Sequence, residues 1–125
     1  MGMKKPFALI VEDERDISLI FAKALTAAGF ETHAVHSGTA ALAWLADNKP
    51  SIVVLDLQMP KMGGIDILQH IRSESRLADV QVIIATAHPH MVEGLHEKAD
   101  WVFFKPVSFS QLRDMAARLG ETCHQ

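Results

Sequence analysis

Five residues with chemically useful side chains each stand at the far end of an apolar run. Glu12 and Asp13 follow Phe7-Ala8-Leu9-Ile10-Val11, and Asp56 follows Ile52-Val53-Val54-Leu55. Thr86 closes Val80-Gln81-Val82-Ile83-Ile84-Ala85, and Lys105 closes Trp101-Val102-Phe103-Phe104. A charge where a buried strand opens into a loop is costly unless something uses it. Each residue alone has a plainer reading: Asp56 as a turn or helix cap, Lys105 as a surface lysine, Thr86 as a locally bonded hydroxyl. Gathered at one edge, three carboxylates would repel and raise one another's pKa unless a cation intervened. Oxygen ligands with no His or Cys among them suit a hard divalent ion, Mg²⁺ before Zn²⁺. A carboxylate beside such an ion, with an amine and a hydroxyl aimed at it, is a nucleophile suited to phosphorus.

Bringing the five together requires a particular fold. The first three of these runs are the most continuously apolar, as strands buried on both faces are. Glu31 to Val35 is a short strand of little apolar length, expected at an edge. Between the strands, apolar residues recur at helical spacing. Ile17, Ile20, Phe21, Ala24, Leu25 and Ala28 form the first such set, with Gly29 as a stop. Ser37 caps a second helix through Ala40, Ala41, Trp44 and Leu45, ending near Pro50. A third starts about Gly64 and buries Ile65, Leu68 and Ile71. His88-Pro89 opens a fourth, with Met91, Val92 and Leu95 on one face. Ser108 and Gln111 are spaced as a capping box for a last helix, with Leu112, Met115, Ala116 and Leu119 inward and Gly120 as stop. Strands alternating with helices predict a doubly wound parallel α/β sheet with helices on both faces. Right-handed crossovers and order 2-1-3-4-5 put the ends of strands one and three side by side, where a ligand site forms.

At 125 residues the chain is long enough for one domain with a covered sheet, structured from about residue 6 to about residue 120. Hydrophobic residues make up 49% and charged ones 22%, and the net charge of −3 offers no electrostatic footprint for nucleic acid or an anionic membrane. No apolar run approaches a membrane span. Met1-Gly2-Met3-Lys4-Lys5-Pro6 has no signal-peptide core and, with Pro at position 6, fails the myristoylation pattern. The single cysteine, Cys123, excludes an internal disulfide, and a cytoplasmic location is expected. The pairs His33/His36 and His88/His90 do not make a metal signature and read as solvent-facing. Trp44 reads as helix packing, and Met59 and Met62 as loop packing.

Val11-Glu12-Asp13-Glu14, Asp56-Leu57-Gln58-Met59-Pro60-Lys61-Met62-Gly63-Gly64, Thr86-Ala87-His88 and Lys105-Pro106 together resemble a response-regulator receiver domain, over essentially the whole chain. The resemblance implies a flavodoxin-like (βα)5 fold with the same strand order, so that order is not an independent indication. It implies that Asp56 accepts a phosphoryl group from a histidine kinase or phosphotransfer protein. Asp13 and Asp56 would bind Mg²⁺ (Mn²⁺ as the alternative) directly and Glu12 through water, with the Gln58 backbone carbonyl completing the protein ligands. Thr86 and Lys105 would hold the phosphoryl oxygens. Such a chain is a signalling switch that catalyses only its own phosphorylation and dephosphorylation. It has no output domain in this reading, and a downstream protein would dock on the face of the fourth helix, fifth strand and last helix.

Two positions depart from the family pattern. Val102 stands where receivers commonly carry Tyr or Phe, which shifts the expected signalling route to the loop from Thr86 to Pro89 and the surface of the fourth helix. Gly63 stands where Asp or Asn is frequent, which loosens the loop without touching the chemistry. Gln58 and His88 lie at positions that, by resemblance, tune hydrolysis of the aspartyl phosphate. A degenerate receiver, used as a binding module and never phosphorylated, is the competing reading. A dehalogenase-type phosphatase would want a second acid two residues after Asp56, where Gln58 stands.

Overall fold

The computed structural model describes residues 5–95 and 97–123. The reading of Met1 to Lys4 lies outside them. The chain runs β1 (Phe7–Val11), α1 (Arg15–Ala27), β2 (Glu31–Val35), α2 (Gly38–Asp47), β3 (Ile52–Leu55), α3 (Gly64–Ser73), β4 (Gln81–Thr86), β5 (Trp101–Phe104) and α4 (Phe109–Cys123). The five strands form one parallel sheet in the order β2-β1-β3-β4-β5, with β2 at an edge as its polar sequence requires. β1 and β3 lie side by side, with Val11 opposite Leu55, so Glu12 and Asp56 leave the sheet together.

Alternate residues of the central strands enter two cores, and this is why those strands are apolar without alternation. Leu9, Val11, Val53, Leu55, Val82 and Ile84 pack with α2 and α3. Ala8, Ile10, Ile52, Val54, Ile83 and Ala85 pack with α1 and α4. The helix starts follow their local chemistry. Ser37 Oγ accepts from the Ala40 N–H at 3.2 Å. Ser108 Oγ accepts from the Gln111 N–H at 3.0 Å, while Gln111 Oε1 accepts from the Ser108 N–H at 3.1 Å, closing the capping box.

Three expectations are corrected. No α-helix stands between β4 and β5 among the described residues; a 3₁₀ turn over Pro89–Val92 and further turns take its place. Glu93 leaves that turn with ψ 129° and Gly94 adopts φ +77°, a left-handed conformation that ends helical winding. Val92 and Leu95 are buried nonetheless, so the apolar spacing reports burial without helix. Ile20, placed inward by periodicity, is 45% exposed beside the still more exposed Leu19. Gly120 does not stop the last helix, which continues to Cys123. A Cβ there would come within 3.1 Å of the Phe30 ring, so its small size serves packing. No helix among the described residues is long and apolar enough to cross a membrane.

Candidate functional site: an acidic cluster at the sheet's carboxyl edge

The ends of β1, β3, β4 and β5 surround a cleft of about 520 Å³ lined by Asp13, Asp56, Gln58, Met59, His88 and Lys105 among others. Carboxylate oxygens of Glu12, Asp13 and Asp56 lie within 4.8 Å of one another. Glu12 and Asp56 are buried and Asp13 is exposed. Lys105 Nζ donates to Glu12 Oε1 at 2.7 Å and lies 3.6 Å from Asp56 Oδ2. Asp56 Oδ1 accepts from the Gln58 N–H at 3.2 Å, and Glu12 Oε2 from the Glu14 N–H at 3.3 Å. Thr86 is fully buried, and its Oγ1 accepts from the His88 N–H at 3.1 Å. The Lys105–Pro106 peptide is cis.

Asp56 is held by backbone. Its N–H donates to Val11 O at 3.0 Å, and α3 begins directly against it. A Cβ on Gly64 would fall 2.2 Å from Asp56 O and 2.8 Å from Leu57 Cα, so only glycine lets the helix start there. Lys61 supplies the left-handed turn at φ 66°, whereas Gly63 is extended at φ −83° and needs no glycine for its conformation.

One lysine does not neutralise three acids. Burial pushes the Glu12 carboxyl up to about 7, against the opposing hydrogen bond from Lys105, and the Asp56 charge adds to the rise. Burial also raises Asp56, with Lys105 the main opposing influence. Burial alone would lower Lys105, but its hydrogen bond to Glu12 and the charges of Asp56 and Glu12 hold it above the ordinary lysine value. An all-oxygen cluster short of positive charge fits a hard divalent cation.

Residues 8–117 match the family described as Response regulator receiver domain. The chain belongs to this family. It is 36% identical over 114 residues to Regulatory protein AtoC of Escherichia coli, covering 88% of this chain and 24% of that protein. To the DNA-binding response regulator MtrA of Mycobacterium tuberculosis it is 32% identical, over 83% of this chain and 46% of the relative. It thus spans half or less of these curated relatives. Among solved structures, the receiver domain of a putative LuxO repressor protein from Vibrio parahaemolyticus superposes with TM-score 0.86 at 27% identity, covering 97% of this chain and 94% of that one. The chemotaxis response regulator CheY4 of Vibrio cholerae, at 23% identity and TM-score 0.84 over 93% of this chain and 99% of that one, shares the fold. Receivers belong to two-component signalling and are switches, not metabolic enzymes.

In this receiver Glu12, Asp13, Asp56 and Lys105 come together at one point, and Gln58 follows directly. Thr86 stands at its strand end but behind the cleft. Val102 is half-buried against the α2/α3 core, while Phe104, two residues on and paired with Thr86 in the ladder, is 49% exposed. Sequence reasoning missed His36, whose Nδ1 lies 3.0 Å from Glu12 O. Its spacing to His33 drew attention to metal ligation, and no periodic signal marks a side chain bonded to a neighbouring strand's carbonyl. His33 instead stacks on Trp44 at 5.4 Å.

Proposed function

We propose that this receiver accepts a phosphoryl group on Asp56 from a phosphohistidine of a histidine kinase or phosphotransfer protein. The observation that carries this reading is the convergence of three carboxylates and Lys105 at the edge where β1 and β3 end. Asp13, Asp56 and the Gln58 carbonyl would hold Mg²⁺, with Glu12 acting through water. Bound there, the cation neutralises charge on the transferring phosphoryl oxygens. Asp56, fixed through its backbone, presents Oδ2 to phosphorus. A bond forms from that oxygen, and the donor imidazole departs with the electron pair of the broken P–N bond. Lys105 turns its ammonium from Glu12 toward a phosphoryl oxygen. The Thr86 hydroxyl accepts from the His88 N–H, which leaves its proton to donate to another phosphoryl oxygen.

Such donation draws Thr86 and, through its bond to His88, the turn over Pro89–Val92. The reporting surface is therefore residues 87–100, the outer side of β5 with Phe104, and α4. A downstream protein docks there, in place of the face expected of a fourth α-helix. The working unit is one receiver domain acting in the cytoplasm, with no direct nucleic-acid contact.

Intact mass after incubation with acetyl phosphate and MgCl₂ tests the reading. Wild type gains one phosphoryl group, while Asp56→Asn and chelator-treated wild type do not. No gain by folded wild type with Mg²⁺ present would replace it with the phosphorylation-independent binding module.

A further inference from the structure

The β1–β2 ladder ends with Val11 opposite Val35, one residue short of the acidic cluster. Two bonds extend it. The Glu12 N–H donates to Val35 O at 3.1 Å, and Glu12 O lies 3.0 Å from His36 Nδ1. A carbonyl can only accept, so Nδ1 carries the proton and donates. Ser37 next to it caps α2, which begins at Gly38, so His36 sits between the end of β2 and a capped helix.

We infer that His36 is a positioning residue for the cation site, acting through the Glu12–Asp13 peptide. Holding both the N–H and the carbonyl of Glu12 fixes the plane of the peptide that follows, and with it the direction in which Asp13 leaves the strand. Glu12 is buried and held through its own carboxylate, but Asp13 is exposed. The direction of Asp13 therefore depends on the peptide before it more than that of Glu12 does. His36 touches neither cation nor phosphoryl group; it works as outer partners of metal ligands do, by removing alternatives. The inference rests on the cation site proposed above.

The test is an NMR titration of the amides of residues 12–14 with MgCl₂ alone, on the full chain. Four proteins are compared: wild type, His36→Ala, His36→Asn and His36→Gln. Asn carries its amide nitrogen on Cγ, where Nδ1 is attached, and Gln carries it one bond further out. His36→Ala and His36→Gln weaken Mg²⁺ binding about tenfold, the low end for such outer partners. His36→Asn stays within about twofold of wild type, a rescue that a mere packing role would not produce. Should His36→Ala not fold, the Asn and Gln pair decides. Equal affinity in all four, or equal weakening in Asn and Gln, overturns the inference alone. Absence of Mg²⁺ binding by wild type overturns the cation site and this inference with it.

Discussion

The chain leaves the carboxyl edge of the sheet beside the acidic cluster after β3 and again after β4, and the two exits are built differently. After β3, Leu57 and Met59 are buried, the Gly64 N–H donates to Leu57 O at 3.0 Å, and α3 starts against the backbone of Asp56 itself. After β4, residues 87–95 and 97–100 run through a 3₁₀ turn and further turns, bonded along their own backbone (Leu95 N–H to Val92 O and Ala99 N–H to Leu95 O, both at 3.0 Å) and held by the buried side chains of Val92 and Leu95 and by Arg72. The Arg72 guanidinium donates to Lys98 O at 2.6 Å, Val80 O at 2.7 Å, Ala78 O at 3.1 Å and Asp100 Oδ2 at 3.0 Å. Asp100 in turn accepts from the Val82 N–H at 2.7 Å. The first exit packs backbone against the backbone of Asp56, whereas the second is tied down away from the cluster, through Arg72, Asp100 and its own turn bonds. Segments wound in short turns open at lower free energy than regular elements packed in a core, which suits the reporting surface proposed above.

The sharpest way to break this contrast is Gly64→Ala. Helix propensity favours alanine over glycine, yet the added Cβ meets Asp56 O. We expect a net loss of about 1–3 kcal/mol in urea unfolding, as overpacking costs, and slower phosphorylation by acetyl phosphate. An unchanged midpoint would show that the loop after Asp56 yields as easily as the other exit. Arg72→Ala should cost about 1–2 kcal/mol, since solvent and neighbours replace part of its bonds. Hydrogen exchange should then quicken across residues 93–100 and not across 57–64. Equal quickening in both would erase the difference.

Glu12→Gln sharpens the electrostatic side of the contrast. With its folded value raised to about 7 from an ordinary 4.5, Glu12 binds more proton in the native than in the unfolded state between those limits. Native stability in metal-free buffer therefore falls as pH rises from about 4.5 to about 7, and the slope is shallower in Glu12→Gln. Some slope survives in the variant because Asp56 is raised as well. Identical profiles would place the proton elsewhere. The smallest expected effect is that of Phe104→Ala on the outer side of β5: a midpoint within about 0.5 kcal/mol of wild type, with phosphoryl uptake unchanged. A large loss would mean that Phe104 belongs to the core.

The clustering of the acidic residues was more legible in the sequence than the structure that surrounds them. Buried parallel strands must be apolar throughout, so Glu12, Asp56, Thr86 and Lys105 stood out where the runs stop, and β2 read as an edge for the opposite reason. Helix caps at Ser37 and Ser108 were legible because their bonds are local. The helix expected after β4 is not found among the described residues, because spacing at Met91, Val92 and Leu95 encodes which residues are buried, while the backbone at Gly94 decides the winding. Ile20 matched the helical period but lines an open cleft with Ile17, Phe21, Pro106 and Val107, and 45% of it stays exposed. The bond from His36 to Glu12 joins residues 24 apart across two strands, so it becomes visible only once their register is known.

The most direct measurement is a pair of ¹H–¹⁵N NMR spectra of the full chain with MgCl₂, before and after adding acetyl phosphate. The account predicts shifts around Asp56 and along residues 86–99, with residues 65–73 of α3 little changed. Shifts confined to Asp56 and its immediate neighbours, or none at all, would contradict it.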